Sequence, residues 1–195
     1  MSDARVTIEV EAGEIKVEIF SSRAPRSAAY FLDLVAQRVY DGSCFYRSTT
    51  LGAADGPRLL QGGPLAGLFT PEGPAASVAA KRMDLLADFE TTEESGLQHA
   101  AGTISLARDL SNTGHAIPEF FICLGPFPEL DTGGRSEPDT RGFPAFGRVT
   151  SGLELVADIA HRATQGRSRI ARLEGEVLSQ PVRILRVARS SAVVS

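Results

Sequence analysis

The side chains able to do chemistry in this 195-residue chain sit in four short strings rather than in one dense cluster. Arg47 ends Tyr40-Asp-Gly-Ser-Cys-Phe-Tyr-Arg47, Gln61 opens Gln61-Gly-Gly63, Arg108 ends Gly102-Thr-Ile-Ser-Leu-Ala-Arg108, and Glu119 opens Glu119-Phe-Phe-Ile-Cys123, with Phe146-Gly-Arg-Val149 behind it. An arginine set among apolar residues is a permanent cation with directed donors, suited to an atom on which electron density develops during a reaction. Taken singly, each string also has a bland reading: Arg47 as a surface charge beside an acid, Gln61-Gly-Gly63 as a turn. Phe120 and Phe121 are neighbours, so on a strand they face opposite sides, one in the core and one lining a groove. His99, His115 and His161 have no carboxylate or cysteine at ligand spacing, so no metal is expected. No Ser-His-Asp constellation stands out, and no glycine pair leads into a helix as a phosphate cradle would.

Bulk properties narrow the classes further. A net charge of -4 gives no basic field for nucleic acid. No apolar run approaches the roughly 20 residues of a membrane span. The opening MSDARVTIEV lacks the basic start and apolar core of a secretory signal, which predicts a cytoplasmic protein. Cys44 and Cys123 are too few for a disulfide scaffold and are expected as two half-buried free thiols. With 43% hydrophobic residues, residues 1–195 are expected to form one domain.

Periodicity supplies the elements that must position the four strings. Arg5 to Ile19 alternates apolar and charged residues on both sides of Ala12-Gly13, a hairpin pattern with Val6, Ile8, Val10, Ile15, Val17 and Ile19 inward. After Pro25, Ala28, Phe31, Leu32, Val35 and Val39 recur at helical spacing. A second helix is predicted over Ser151–Ala160, capped by Ser151, with Leu153, Val156, Ala157 and Ala160 as its stripe. Short apolar runs at Cys44–Tyr46, Leu59–Gln61, Gly102–Leu106, Phe120–Leu124, Pro144–Val149 and Val182–Val187 read as strands. Many short strands and two helices predict a mainly β fold, a closed barrel whose ends the helices cover. The inward positions are bulky, so a hollow carrier barrel is disfavoured. Residues 64–94 and 131–142 are long connections, expected as surface loops near the site, and Glu90–Glu94 reads as solvated loop.

The four strings, in this order and at this spacing, resemble cyclophilins, and the likeness runs from the first hairpin to the last strand. The resemblance implies an eight-stranded antiparallel barrel capped by two helices, an outer groove for X-Pro bonds, and peptidyl-prolyl cis/trans isomerisation with no cofactor. Arg47 is then the catalytic donor, and Gln61 hydrogen-bonds a peptide carbonyl or Arg47. Phe121 and Leu59 seat the proline ring, the backbone of Ala107 and Arg108 holds the preceding residues, and Leu130 closes the edge. Phe143 stands where a histidine is common, Glu119 replaces the usual glutamine, Glu129 a frequent tryptophan, and Arg58 aligns with a pocket phenylalanine. The expected partners are proline-containing peptides and unfolded or flexible proteins, bound by a monomer. A proline-peptide binding module with weak catalysis is the alternative that these departures leave open.

Overall fold

Alternation of valine and isoleucine with charged residues pairs Ala4–Val10 (β1) with Gly13–Ile19 (β2), in register from Ala4↔Ile19 to Val10↔Gly13. The six aliphatic residues expected inward are each at most 2% exposed. The structure is a computed structural model and describes residues 3–75, 84–136 and 139–190. Six more strands follow: Cys44–Thr49 (β3), Leu59–Gly63 (β4), Thr103–Arg108 (β5), Ala116–Cys123 (β6), Ala145–Ser151 (β7) and Val177–Arg189 (β8). They close as an antiparallel barrel in the order β1-β2-β7-β5-β6-β4-β3-β8, because β8 pairs with both β1 and β3. Closure leaves no open sheet edge, which is how such a sheet avoids pairing with other chains.

Helix α1 (Pro25–Ala36) packs on β7 and β8, and its Phe31 enters the barrel end. There its ring centroid lies 4.8 Å from Phe146 and 5.9 Å from Phe120, while Tyr40 and Phe45 meet Phe120 edge-on at 5.4 and 5.7 Å. A small barrel packed with rings in this way has a filled lumen, so ligands must bind outside it. Among the described residues, the one-turn helix α2 (Ala66–Phe69) lies in the 64–94 connection and α3 (Thr92–Ser95) at its end, and α4 (Leu153–Ala160) covers β2, β3 and β4. The middle of that connection, 76–83, and residues 137–138 of the second long loop lie outside the described residues. Among the described residues no helix is long and apolar enough to cross a membrane.

Several details differ from the periodicity. Val39 is buried but follows the end of α1, since Arg38 takes a left-handed φ of 57°. In α4 the core stripe uses Ile159 rather than Ala157. Ser151 does not cap α4; it ends β7, and Gly152 holds the cap position at φ 87°. A Cβ at Gly152 would stand 2.5 Å from the Glu14 carbonyl oxygen, so both space and conformation call for glycine. Both cysteines are unpaired and fully buried rather than half-buried. Burial pushes the Cys44 thiol up to about 12 and raises that of Cys123 as well, which leaves both unreactive.

The acidic run 90–94 is not a solvated loop. Thr91 and Glu94 form a reciprocal capping box on α3, and Glu90 is only 4% exposed. Its Oε1 accepts from the Arg26 amide at 2.7 Å, and its Oε2 accepts from the Ser27 amide at 3.0 Å and the Ser27 hydroxyl at 2.7 Å. Helix α1 has neither a side-chain cap of its own nor an acid in its first turn, so a carboxylate 63 positions from Ser27 satisfies its free amides. Burial pushes the Glu90 carboxyl up, and these bonds more than offset it, holding the group below its usual value. Glu90→Ala is expected to cost about 2–3 kcal/mol, from the lost cap and the stranded Ser27 amide. Urea denaturation checks this, and a midpoint equal to the parent's would refute the capping role.

Candidate functional site

Strand alternation alone would send Arg47 into the barrel. Phe45 faces the core, so the residue two positions on belongs to the same side. A bulge intervenes: Phe45 pairs with Gly62 and Arg47 with Gln61, so Tyr46 has no partner of its own and Arg47 is turned outward. Ser48 then faces inward, its hydroxyl donating to the Ala160 carbonyl of α4 at 2.6 Å. The register continues across neighbouring strands as Gln61↔Phe121 and Phe121↔Ser105, forming one row from β3 to β5 on the outer face.

Around this row lies a cavity of about 190 Å³. All eight residues expected at the site line it: Arg47 and Gln61, with Leu59, Ala107, Arg108, Phe121, Leu130 and Phe143. Phe121 meets Phe143 edge-on at 5.7 Å, and Leu59, Ile117, Phe127 and Leu130 join them in an apolar cluster separate from the barrel core. Ala107 falls at a second bulge and has no partner in the register with either β6 or β7. Arg58 does not line the cavity; its Nη1 lies 3.4 Å from Ser48 Oγ. Nor does the half-buried Glu129, whose backbone carbonyl instead accepts from Arg135 Nε at 3.1 Å.

A polar network holds the arginine. Arg47 Nε and Nη2 reach Glu176 Oε2 at 2.8 and 2.7 Å, and Nη1 donates to Gln61 Oε1 at 2.7 Å. Gln61 Nε2 donates to the Tyr46 hydroxyl at 2.9 Å, which fixes which end of the amide faces the guanidinium. Thr49 Oγ1 donates to Glu176 Oε1 at 2.5 Å. Behind Tyr46 stands Glu119, with no exposed surface. The Leu65 amide donates to its Oε1 at 2.6 Å, whereas Oε2 makes no well-formed bond among the described residues. Burial raises the Glu119 carboxyl to about 8, against the smaller opposing pull of Leu65 and Tyr46.

Sequence reading missed Glu176, Tyr46 and a second array. His99 Nδ1 lies 2.7 Å from Asp131 Oδ1 and His99 Nε2 lies 3.1 Å from Ser105 Oγ, so a Ser-His-Asp constellation does exist. Ser105 and the His99 ring are fully buried, and His99 stacks on Phe121 at 5.7 Å. The array braces the Phe121 wall and ties the turn bearing Leu130 to β5. Tyr46 and Ser105 lie inside strings singled out for their arginines, and Asp131 opens the 131–142 connection expected to border the site; nothing marked Glu176 or His99.

Residues 5–189 match the family model for cyclophilin type peptidyl-prolyl cis-trans isomerases. The chain belongs to this family. It is similar to the peptidyl-prolyl cis-trans isomerase-like 3 of Gallus gallus, 30% identical over 155 residues, covering 79% of this chain and 80% of that one. A peptidyl-prolyl cis-trans isomerase of Acinetobacter baylyi is 27% identical over 187 residues, covering 96% and 86%. In fold it is similar to a cyclophilin type isomerase of Cryptosporidium parvum solved in the presence of the dipeptide Ala-Pro, with a TM-score of 0.68, 21% identity, and coverage of 96% and 99%. The chain is thus a peptidyl-prolyl cis-trans isomerase built on the cyclophilin barrel.

Within that family frame, Glu119 gives the protein a pH-dependent stability. Because its folded value, about 8, lies above the ordinary carboxyl value of 4.5, the native state keeps a proton that the unfolded chain loses in between. Stability is then full below the unfolded value, falls as pH rises through this window, and levels off above it. Glu119→Gln should flatten the profile and gain on the order of a few kcal/mol above pH 8. Thermal melts of both proteins across the window test this; parallel pH profiles would overturn it.

Proposed function

We propose that the cavity between β3, β4, β5 and β6 is the isomerisation groove, and that Arg47 is its catalytic residue. The observation that carries this reading is the cross-strand row that sets a partly buried guanidinium beside an apolar pocket of proline size. Rotation about X-Pro faces a barrier of about 20 kcal/mol, set by amide conjugation. In the twisted state the prolyl nitrogen regains a lone pair, and a fixed cationic donor binds that state better than either planar one. Glu176 and Gln61 each engage part of the guanidinium, and each terminal nitrogen keeps a second N–H for the substrate.

One charge-assisted hydrogen bond contributes about 1.5–3 kcal/mol. A 10⁵-fold acceleration requires about 7 kcal/mol. The remainder comes from removing water from the amide and from gripping the flanking peptide. Phe121, Leu59, Leu130 and Phe143 seat the proline ring, and the unpaired backbone of Ala107, with that of Arg108, holds the residues before it. The relative solved with Ala-Pro supports a proline peptide as ligand. Clients are prolyl bonds in unfolded or flexible proteins, whose folding such an activity assists, and the barrel acts as one domain and as a single chain. Two unpaired buried thiols fit a cytoplasmic setting.

Arg47→Ala should lower kcat/KM by about 10²–10³-fold while leaving the far-ultraviolet dichroism unchanged. In the same exchange assay on an Ala-Pro peptide, Phe121→Ala should act mainly by raising KM, since it removes the wall that binds both states. An Arg47→Ala protein with parental kcat/KM would exclude the mechanism.

A further inference from the structure

The groove is lined by four arginines, Arg47, Arg108, Arg135 and Arg172, and by no aspartate or glutamate, although the chain as a whole carries a net charge of -4. Two of the four are neutralised from behind. Glu176 holds Arg47, and the fully buried side chain of Arg108 is bound by Asp139 and the carbonyls of Gly114 and Gly142. The other two have no carboxylate at ion-pair distance among the described residues.

Arg135 is the better defined of these. Its Nε donates to the Glu129 carbonyl at 3.1 Å and its guanidinium lies over the Phe143 ring at 5.1 Å from the centroid, so the group is held rather than waving in solvent. Its terminal nitrogens have no hydrogen-bond partner among the described residues. Burial holds its pKa below the usual arginine value, the mark of a cation partly stripped of water. Arg172 sits on the opposite bank, in the turn Ala171–Leu173, and is exposed beside Leu173, which also lines the groove. Positioned, partly dehydrated guanidinium groups recognise carboxylate or phosphate oxygens through paired hydrogen bonds.

We propose, on the reading that this groove is the isomerisation site, that it selects prolines flanked by anionic side chains. Arg135 and Arg108 share the Phe143 ring, and the chain next to Arg108 holds the residues before proline, so Arg135 reads the preceding side chain. Arg172, on the bank of Arg47 and Leu173, reads the following one. The shared chemistry is an oxyanion on a short side chain, carried by aspartate, glutamate or a phosphorylated serine.

Exchange spectroscopy on peptides Ala-X-Pro-Y-Ala, with X or Y set to alanine, glutamate, phosphoserine or lysine, tests the proposal without a coupled protease. Glu-Pro should exceed Ala-Pro in kcat/KM by about tenfold, mainly through KM, with Lys-Pro lowest and the spread shrinking as salt rises. In Arg135→Gln the ratio of Glu-Pro to Ala-Pro should fall to near one, and Arg135→Lys, which keeps the charge but not the paired donors, should keep part of it. The same holds for Arg172→Gln at position Y. Phosphoserine well above glutamate would support the proposal with phosphate as the anion, and glutamate equal or better would support it with carboxylate. Equal rates for glutamate, alanine and lysine, or an Arg135→Gln protein that keeps its preference, would overturn it. If even Ala-Pro is not turned over, the isomerase reading fails instead; the same peptides titrated by calorimetry then decide the charge preference on binding alone.

Discussion

Side chains on a strand alternate between faces, and on β3 that rule puts Arg47 on the same side as the core residue Phe45. A guanidinium in the barrel would displace the ring cluster of Phe31, Tyr40, Phe45, Phe120 and Phe146 and leave a cation without solvent or partner. One extra residue, Tyr46, resolves the conflict by shifting the register against β4, so that Arg47 emerges opposite Gln61 on the outer face. The groove depends on that shift. With it, the row from Arg47 through Gln61 and Phe121 to Ser105 runs along one surface, and the apolar residues on that surface become a pocket rather than a second core.

An outward arginine still has to be aimed. Glu176 arrives just before β8 and binds Nε and Nη2, while Gln61 takes Nη1, so that the charge is oriented by partners on both flanks. The Tyr46 hydroxyl accepts from Gln61, which keeps the amide oxygen toward the arginine. Behind Tyr46, Glu119 keeps a proton near neutral pH because burial disfavours its charge. If ionised, it would set a second negative charge against the Tyr46 hydroxyl that orients Gln61. Keeping it neutral leaves Glu176 as the carboxylate that pairs directly with Arg47.

How much of this was legible in the sequence follows from how local each interaction is. The hairpin, α1 and the strand strings were readable because their signal is a period of two or of 3.6 within a few residues. The eight residues expected at the site came from the family resemblance that the ordered strings carry, three of them lying outside the strings, and all eight line one cavity. What escaped was long-range. Glu90 caps a helix 63 positions away from it, and Glu176 pairs with an arginine 129 positions earlier. Nothing in Glu90-Thr-Thr-Glu-Glu94 or in the turn before the last strand marks either carboxylate as a partner, since the pairing exists only once the barrel has closed. The missing cap at Ser151 is the reverse case: a residue of the right type was present, but β7 kept it and left the turn to Gly152.

The array of Asp131, His99 and Ser105 shows why residue types and distances do not by themselves define chemistry. Its spacings would suit a histidine activating a serine hydroxyl. A nucleophile, however, must meet a substrate carbonyl, and Ser105 has no exposed surface and does not line the groove. Its strand partner Phe121 belongs to the wall in front of it, with His99 stacked on that ring. The hydrogen bonds therefore stiffen a wall. Asp131 also accepts from the His99 amide at 3.0 Å, so the turn that carries Leu130 is anchored at two points. On the proposed reading of this cavity, its walls must stay in place while one peptide bond rotates, and three residues of a hydrolytic type supply rigidity instead of reactivity.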